Sequence, residues 1–347
     1  MSGRNKLSPI SSGLSWEGFV RNLRREATPE RVYCFEHGIS ENLQEQLAMH
    51  FGLWDALGGS EDYSRLMKPV AVNRFLGLEL LRVCPPRGRM TVPERHEGWE
   101  DEQSGIISSW EDFDKFPWPD PAAADFSCLE FYDKVLPRDM RTFAVIDLWE
   151  SVRALLGFAP FCFLLYEDPP LVREVTRKVA EYDLALVRSY CDFDCHAVVY
   201  ISDDFGHKTA PMMAPKVIRE YFLPWHKRFA DEAHARGKFV FFHSDGYILD
   251  IIPDLIEIGV NALNCQLFCM DVEELGRRFK GRITFWGEMD RQWVLPFGKP
   301  EDVRRAVQRV RQALEGDNGS GGVIAQMEWG KNDPQENVET VFEAWLE

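Results

Sequence analysis

The stretch AVVYISDDFGHKTAPMMAPKVIREYFLPWHKRFADEAHARGKFVFFHSDGYILDIIPDLIEIGVNALNCQ (Ala197–Gln266) decides the fold. It opens on Ala197–Ile201, a short run dense in β-branched and aromatic residues, and repeats that character at Lys238–Phe242 and Val260–Leu263. Such runs fit strands. The longer stretches between them, Lys216–Arg236 and Tyr247–Ile258, space their apolar residues as helices do. Strand and helix alternating in this way imply parallel strands joined by right-handed crossovers.

The same alternation continues outward. Downstream, strands are expected at Ile283–Trp286 and Gly322–Ala325, with helices at Val272–Phe279, Pro300–Leu314 and Asn337–Leu346. Asp271 is a plausible N-cap, and Pro300, Glu301 and Asp302 suit a helix start. Upstream, Val32–Phe35, Leu78–Val83 and Phe143–Leu148 are strand candidates, with a helix from Glu41 to Met49. Eight strands suggest a closed (β/α)8 barrel rather than an open sheet. A doubly wound sheet is the second choice, because no GxGxxG or GxxxxGK[ST] turn follows any strand. The expected architecture is one α/β barrel domain over 1–347, with residues 1–30 as a helical N-terminal extension. Residues 85–125, rich in Pro, acids and aromatics, form an ordered excursion inserted near the barrel.

Composition narrows the function classes. The chain of 347 residues is 45% hydrophobic and 28% charged, which is globular composition. A core of this size needs no disulfide or metal to fold. The net charge of −16 repels phosphate backbones and anionic lipid heads, so neither nucleic acid nor a membrane surface is an expected partner. The eight cysteines are spread along the chain and are not a disulfide scaffold. Residues 1–19 contain no apolar h-region, and the longest apolar run, Phe158–Tyr166, is far too short to span a bilayer. A cytoplasmic protein with reduced thiols is expected.

In such a barrel the active site lies past the C-terminal ends of the strands. The residues there are Glu36 and His37, Glu150 and Arg153, Asp203 and Asp204, His243 and Asp245, Cys265 and Gln266, Glu288 and Arg291, and Gln326, Glu328 and Trp329. Polar groups at strand ends often serve as caps, and Asp245 and Asp271 are the first candidates for that duty. The set as a whole suggests a pocket. Asp203, Asp204, His243 and Glu288 are the candidate catalytic groups, as proton carriers. Only one of the adjacent pair Asp203–Asp204 can face the mouth, and the other is expected to cap or pair locally. Glu36, His37, Arg153, Gln266, Arg291 and Trp329 are candidate substrate contacts. His243, Asp245, Cys265 and Glu328 could converge on one zinc with an open position.

Several segments together resemble the uroporphyrinogen decarboxylase superfamily, which includes corrinoid-dependent methyltransferases. They are ATPERVYCFEHG (Ala27–Gly38), WEDEQSGIISSWEDFDKFPWPDP (Trp99–Pro121), Tyr200–Phe229, Phe241–Gln266, FWGEMDRQWVLPFGKPEDVRRAV (Phe285–Val307) and GGVIAQMEWGKNDPQENVETVFEA (Gly321–Ala344). The resemblance implies a distorted (β/α)8 barrel with its site at the C-terminal mouth. The decarboxylases carry an RQAGRY-type segment whose arginines hold substrate carboxylates. Here CFEHGISENL (Cys34–Leu43) has Glu36 and no arginine. The methyltransferases bind zinc through His-x-Cys on the fifth strand and a Cys near the eighth. Here those positions are His243-Ser-Asp245 and Gln326-Met-Glu328, so the His matches and both Cys positions differ.

The expected function is an enzyme that moves a methyl group from a small methylated or methoxylated substrate to a corrinoid protein, assisted by zinc. The alternatives are a cofactor-free decarboxylase, with Arg153 and Arg291 holding a carboxylate, and a non-catalytic tetrapyrrole-binding barrel. The chain is expected to be a monomer or a homodimer.

Overall fold

The computed structural model describes residues 13–26, 28–55, 57–83, 104–317, 320–327 and 333–347. Seven strands lie among them: β1 (Leu80–Arg82), β2 (Arg141–Ile146), β3 (His196–Ser202), β4 (Phe239–Ser244), β5 (Ala262–Cys265), β6 (Thr284–Gly287) and β7 (Val323–Ala325). β1 pairs with β2, β3 with β4, β5 with β6 and β6 with β7, all in parallel. The strands are built from residues that tolerate burial on both faces, as parallel sheets require. β5 and β6 are buried throughout, and β3 is buried at all but its last residue.

The chain forms two compact units. The first holds Met1–Arg82, Lys134–Phe143 and Asn261–Glu347, and the second holds Val83–Asp133 and Ala144–Val260. β2 begins in the first and ends in the second.

In the first unit, β5, β6 and β7 lie side by side. Beyond β7, Cys34 makes parallel bridges to both Ala325 and Leu78, just ahead of β1. Phe35 N–H donates to Ala325 O at 3.0 Å and Ala325 N–H donates to Tyr33 O at 2.8 Å. Eight strands were expected, and seven lie among the described residues. The run Val32–Phe35 contributes one bridging residue, not a strand, because charge at both ends leaves the ladder. Arg31 turns to buried Glu79, and the Glu36 carboxylate turns to accept Met327 N–H at 2.6 Å. The N-terminal helix Trp16–Leu23 is tied to this unit at both ends. Ser15 N–H donates to Glu79 Oε1 at 3.1 Å, and Asn22 Nδ2 donates to Val323 O at 2.9 Å. The helices Val272–Phe279 and Pro300–Leu314 have the bounds read from the sequence. Asp271 accepts Glu274 N–H at 2.6 Å as the expected N-cap.

In the second unit, Trp149 is packed among Phe161, Phe205 and Phe222. The helix expected over Lys216–Arg236 is two helices, Pro215–Tyr221 and Leu223–Ala235. Pro224 explains the break, since proline lacks the N–H and its ring clashes with the carbonyl four residues back. The helix expected over Tyr247–Ile258 is shorter, Ile252–Glu257, with Pro253 in its first turn. Of the 85–125 excursion, residues 85–103 lie outside the described residues. The rest includes the helix Trp110–Lys115, and the N–H groups of Ile106 and Ile107 hold it to Leu155 O at 2.7 and 2.9 Å. No single helix among the described residues is long and apolar enough to cross a membrane.

Candidate functional site

In the second unit the chain segments leaving β3 and β4 run together. Asp203 N–H donates to His243 O at 3.1 Å, and Phe205 N–H donates to Ser244 Oγ at 2.9 Å. Asp245 N–H donates to the Asp204 carboxylate at 2.8 Å. Gly206 N–H then donates to Asp245 O at 3.1 Å, and Tyr247 N–H to His207 O at 2.7 Å. The two backbones touch at Gly206 and Gly246. A Cβ on Gly206 would lie 2.3 Å from Asp245 O, and one on Gly246 would lie 2.4 Å from the Gly206 carbonyl carbon. Gly246 also has φ of +77°. Glycine at both positions is thus what allows the loops to meet.

The adjacent aspartates divide their duties. Asp203 is completely buried. Its Oδ1 accepts the N–H groups of Trp149 at 2.8 Å and Glu150 at 3.3 Å, at the start of the helix Leu148–Leu156. Its Oδ2 lies 2.7 Å from Nε2 of His226, which is also completely buried. Burial, then the charge of Asp147, pushes the Asp203 carboxyl well above the usual range, against the pull of the two helix N–H groups. Burial holds the His226 imidazole down to about 3.

Asp204 turns the other way. Its Oδ1 is 3.3 Å from His243 Nε2, and that nitrogen is 3.9 Å from Asp245 Oδ1. Burial raises the Asp204 carboxyl, but the His243 hydrogen bond and charge, the Asp245 N–H and Arg153 together outweigh it and leave it below the ordinary value. Arg153 also lies 3.6 Å from Glu150 in an ion pair. The three side chains are open to solvent to different degrees: 15% for His243, 36% for Asp204 and 43% for Asp245.

Asp204, His243 and Asp245 each offer a ligand atom, all within 4.8 Å of one another, and they form the group among the described residues that can hold a metal ion. This changes the ligand set expected from the sequence. Asp204 enters it. Asp245 stays in it and does not serve as a helix cap, because the next helix starts only at Ile252. Cys265 is outside the group. It is buried in the first unit, where burial, Glu288 and Cys269 push its thiol well above the usual value. A thiol held protonated is a poor metal ligand. Glu328 and Trp329 lie outside the described residues.

One imidazole and two carboxylates are a donor set for a divalent cation such as zinc or manganese. Three protein ligands leave coordination positions open, as catalytic sites do. With no thiolate, the metal would stay a stronger Lewis acid than in a His/Cys site.

The first unit gathers the other candidates at its own strand ends. Asn264 in β5 donates through Nδ2 to Trp286 O at 2.8 Å and to Gln326 Oε1 at 2.7 Å. Its Oδ1 lies 3.2 Å from His37 Nε2. The His37 ring rests on Trp286, with centroids 4.5 Å apart, and Trp286 Nε1 donates to Phe35 O at 2.9 Å. Buried Glu288 forms an ion pair with Arg291 at 3.1 Å, and Gln266 Oε1 lies 3.2 Å from Cys269 Sγ. Sequence reading missed Asn264 and His226. Asn264 lies inside a strand, where a polar side chain is easily taken for an ordinary inward or outward position. His226 had a signal, since it shares the buried helix face of Phe222, Phe229, Ala230 and Ala233.

Residues 151–346 match the family model for uroporphyrinogen decarboxylase (URO-D). The chain belongs to the uroporphyrinogen decarboxylase family. The URO-D match takes in β3 to β7, and with them the Asp204–His243–Asp245 group and most of the first-unit network. A methyltransferase from Methanosarcina mazei has a similar fold, with a TM-score of 0.67 over 96% of this chain and 98% of that one, at 14% sequence identity. At that identity the likeness shows the fold alone. No curated protein matches this URO-D chain.

Proposed function

We propose that this URO-D family chain is a methyltransferase that takes a methyl group from a small methylated or methoxylated substrate and passes it to a corrinoid protein. The observation that carries the reading is the cluster of Asp204, His243 and Asp245 past the ends of β3 and β4. The likeness of fold to a methyltransferase supports it. Asp204, held below the ordinary aspartate value, stays ionised at neutral pH and suits a cation better than it suits proton donation.

A divalent cation there, zinc in the first instance, would draw electron density from the heteroatom that carries the methyl group. The methyl carbon would leave without the electrons of its bond to that heteroatom, the heteroatom would keep the pair and take a proton from solvent, and a reduced corrinoid on the acceptor protein would supply the pair for the new bond. His243 and the two aspartates orient the substrate heteroatom. In the first unit, half-buried His37 packs on buried Trp286 and bonds to Asn264, so of that pair only the imidazole edge reaches the surface. Arg153 and Arg291 are each engaged by an acid of their own helix or turn, Glu150 and Glu288, which weakens the case for them as anchors of a polycarboxylate.

Metal content of the purified chain, with His243→Ala as control, tests the reading. About one zinc or manganese per chain, lost in the variant, is expected. Methyl donors are then screened with a corrinoid acceptor. No metal in either protein, in buffers that retain zinc, would overturn the metal-assisted mechanism. Release of CO2 from a carboxylate substrate would replace methyl transfer with decarboxylation.

A further inference from the structure

We propose that Asp203 and His226 form a positioning brace that holds Asp204 and the β3–β4 loop crossing in the arrangement that binds the cation. The proposal rests on the metal reading above. Asp203 stands one residue before a ligand, and its own N–H is bound to the carbonyl of His243, a second ligand. Whatever fixes Asp203 therefore fixes the direction in which Asp204 points.

Three bonds fix it. Its carboxyl takes the Trp149 and Glu150 N–H groups through one oxygen and His226 Nε2 through the other. The helix Leu148–Leu156 has its own N-cap residue in Asp147, yet Asp147 makes no capping bond and instead accepts the Ser151 hydroxyl at 2.9 Å. The helix is capped by Asp203, the residue just past β3. Trp149 returns the tie, because its Nε1 donates to Asp204 O at 3.0 Å. The helix start and the ligand-bearing residue are thereby one body.

His226 points the same way. Its imidazole is completely buried, its Nε2 meets Asp203, and its Nδ1 has no hydrogen-bond partner. A buried polar atom left without a partner costs stability, and an apolar side chain would fill the same space without that cost. The residue is thus poorly explained as filling and well explained as the partner of Asp203. The 2.7 Å bond persists whichever of the two atoms keeps the proton, so the brace does not depend on a titration.

The test uses the full chain with cobalt(II) as the probe, read by its visible absorption. Asp203→Asn keeps an oxygen for the two helix N–H groups and offers an N–H to His226. Asp203→Ala and His226→Phe remove the brace. Val179→Ala, at a buried position of the same unit, shows what lost stability alone does. Asp203→Ala and His226→Phe are expected to bind cobalt at least about tenfold more weakly, with Asp203→Asn within about threefold of the unmodified chain. Cobalt binding by Asp203→Ala equal to that of the unmodified chain would overturn the proposal. So would an equal loss in a Val179→Ala chain of matched thermal stability.

Hydrogen exchange of the Asp245 amide, which bonds to Asp204, separates this proposal from the metal reading. If the unmodified chain takes up no cobalt, the metal reading fails and the exchange decides. Faster exchange in Asp203→Ala and His226→Phe, restored in Asp203→Asn, supports the brace. Unchanged exchange in Asp203→Ala overturns it.

Discussion

Replacing Gly246 by alanine tests the crossing that brings Asp204 and Asp245 together. At φ of +77° an L-residue costs about 1–2 kcal/mol. The new Cβ would also lie 2.4, 2.6 and 2.7 Å from the Gly206 carbonyl carbon, the Gly206 oxygen and the His207 nitrogen. All three are backbone atoms, so no side chain can swing away. Relief requires the loops to part, which gives up Gly206 N–H to Asp245 O and Tyr247 N–H to His207 O. At about 1 kcal/mol each, the two bonds bring the loss to about 3–4 kcal/mol. Gly237→Ala is the matched control. Its φ is +70°, and nothing lies within 4 Å of the added Cβ. It should cost only the conformational part, about 1–2 kcal/mol. Urea unfolding followed by near- and far-ultraviolet circular dichroism measures both, and metal uptake should fall in Gly246→Ala alone. Equal losses in the two variants would refute the close crossing.

Three further outcomes are expected. Folded His196 is kept neutral down to about 3 by burial, and secondly by Lys238, while the unfolded imidazole protonates near 6.5. Between those values the unfolded state binds more protons, so stability falls as pH falls, by roughly 2 kcal/mol from pH 6.5 to 5. Urea midpoints of His196→Phe should flatten that slope. Glu79 is completely buried, paired with nearly buried Arg31 and bound to Ser15 N–H. Glu79→Gln leaves a buried cation uncompensated and should cost about 3 kcal/mol in a thermal or urea melt, loosening the N-terminal helix first. Cys265, with its thiol pushed up by burial, should escape iodoacetamide at pH 8 in the folded chain and react in urea, as peptide mapping would reveal.

The fold was legible wherever local pattern and tertiary demand agree. β3 extends its expected run by one residue at each end, β4 is displaced from its own by one residue at the start and two at the end, and the helices 272–279 and 300–314 coincide with theirs, because their caps lie in the sequence as Asp271 and Asp302. The reading failed where a distant partner overrules local pattern. Val32–Phe35 has strand composition, but Arg31 and Glu36 are drawn off to Glu79 and Met327, far along the chain. At the site, His243 and the two-way split of Asp203 and Asp204 were readable from strand alternation. Which aspartate would face which way was not, because it depends on His226, 23 residues on, and on a helix start more than 50 residues back. Asp245 resembled a cap because it stands just ahead of the helix expected at Tyr247–Ile258. The Gly206–Gly246 contact gives it a different purpose.

The single-residue bridge at Cys34 has a consequence for how the chain is made. Tyr33 and Phe35 bond to Ala325, and Glu36 to Met327, which lies 291 residues later. Synthesis at about 5–20 residues per second delivers that partner roughly 15–60 s after Glu36 is added. For that interval Tyr33 and Phe35, both buried at the end, lack β7 to cover them. Ribosome-bound chains halted before Val323 should therefore expose their first 80 residues to proteases and holdase chaperones, and chains released beyond Met327 should not.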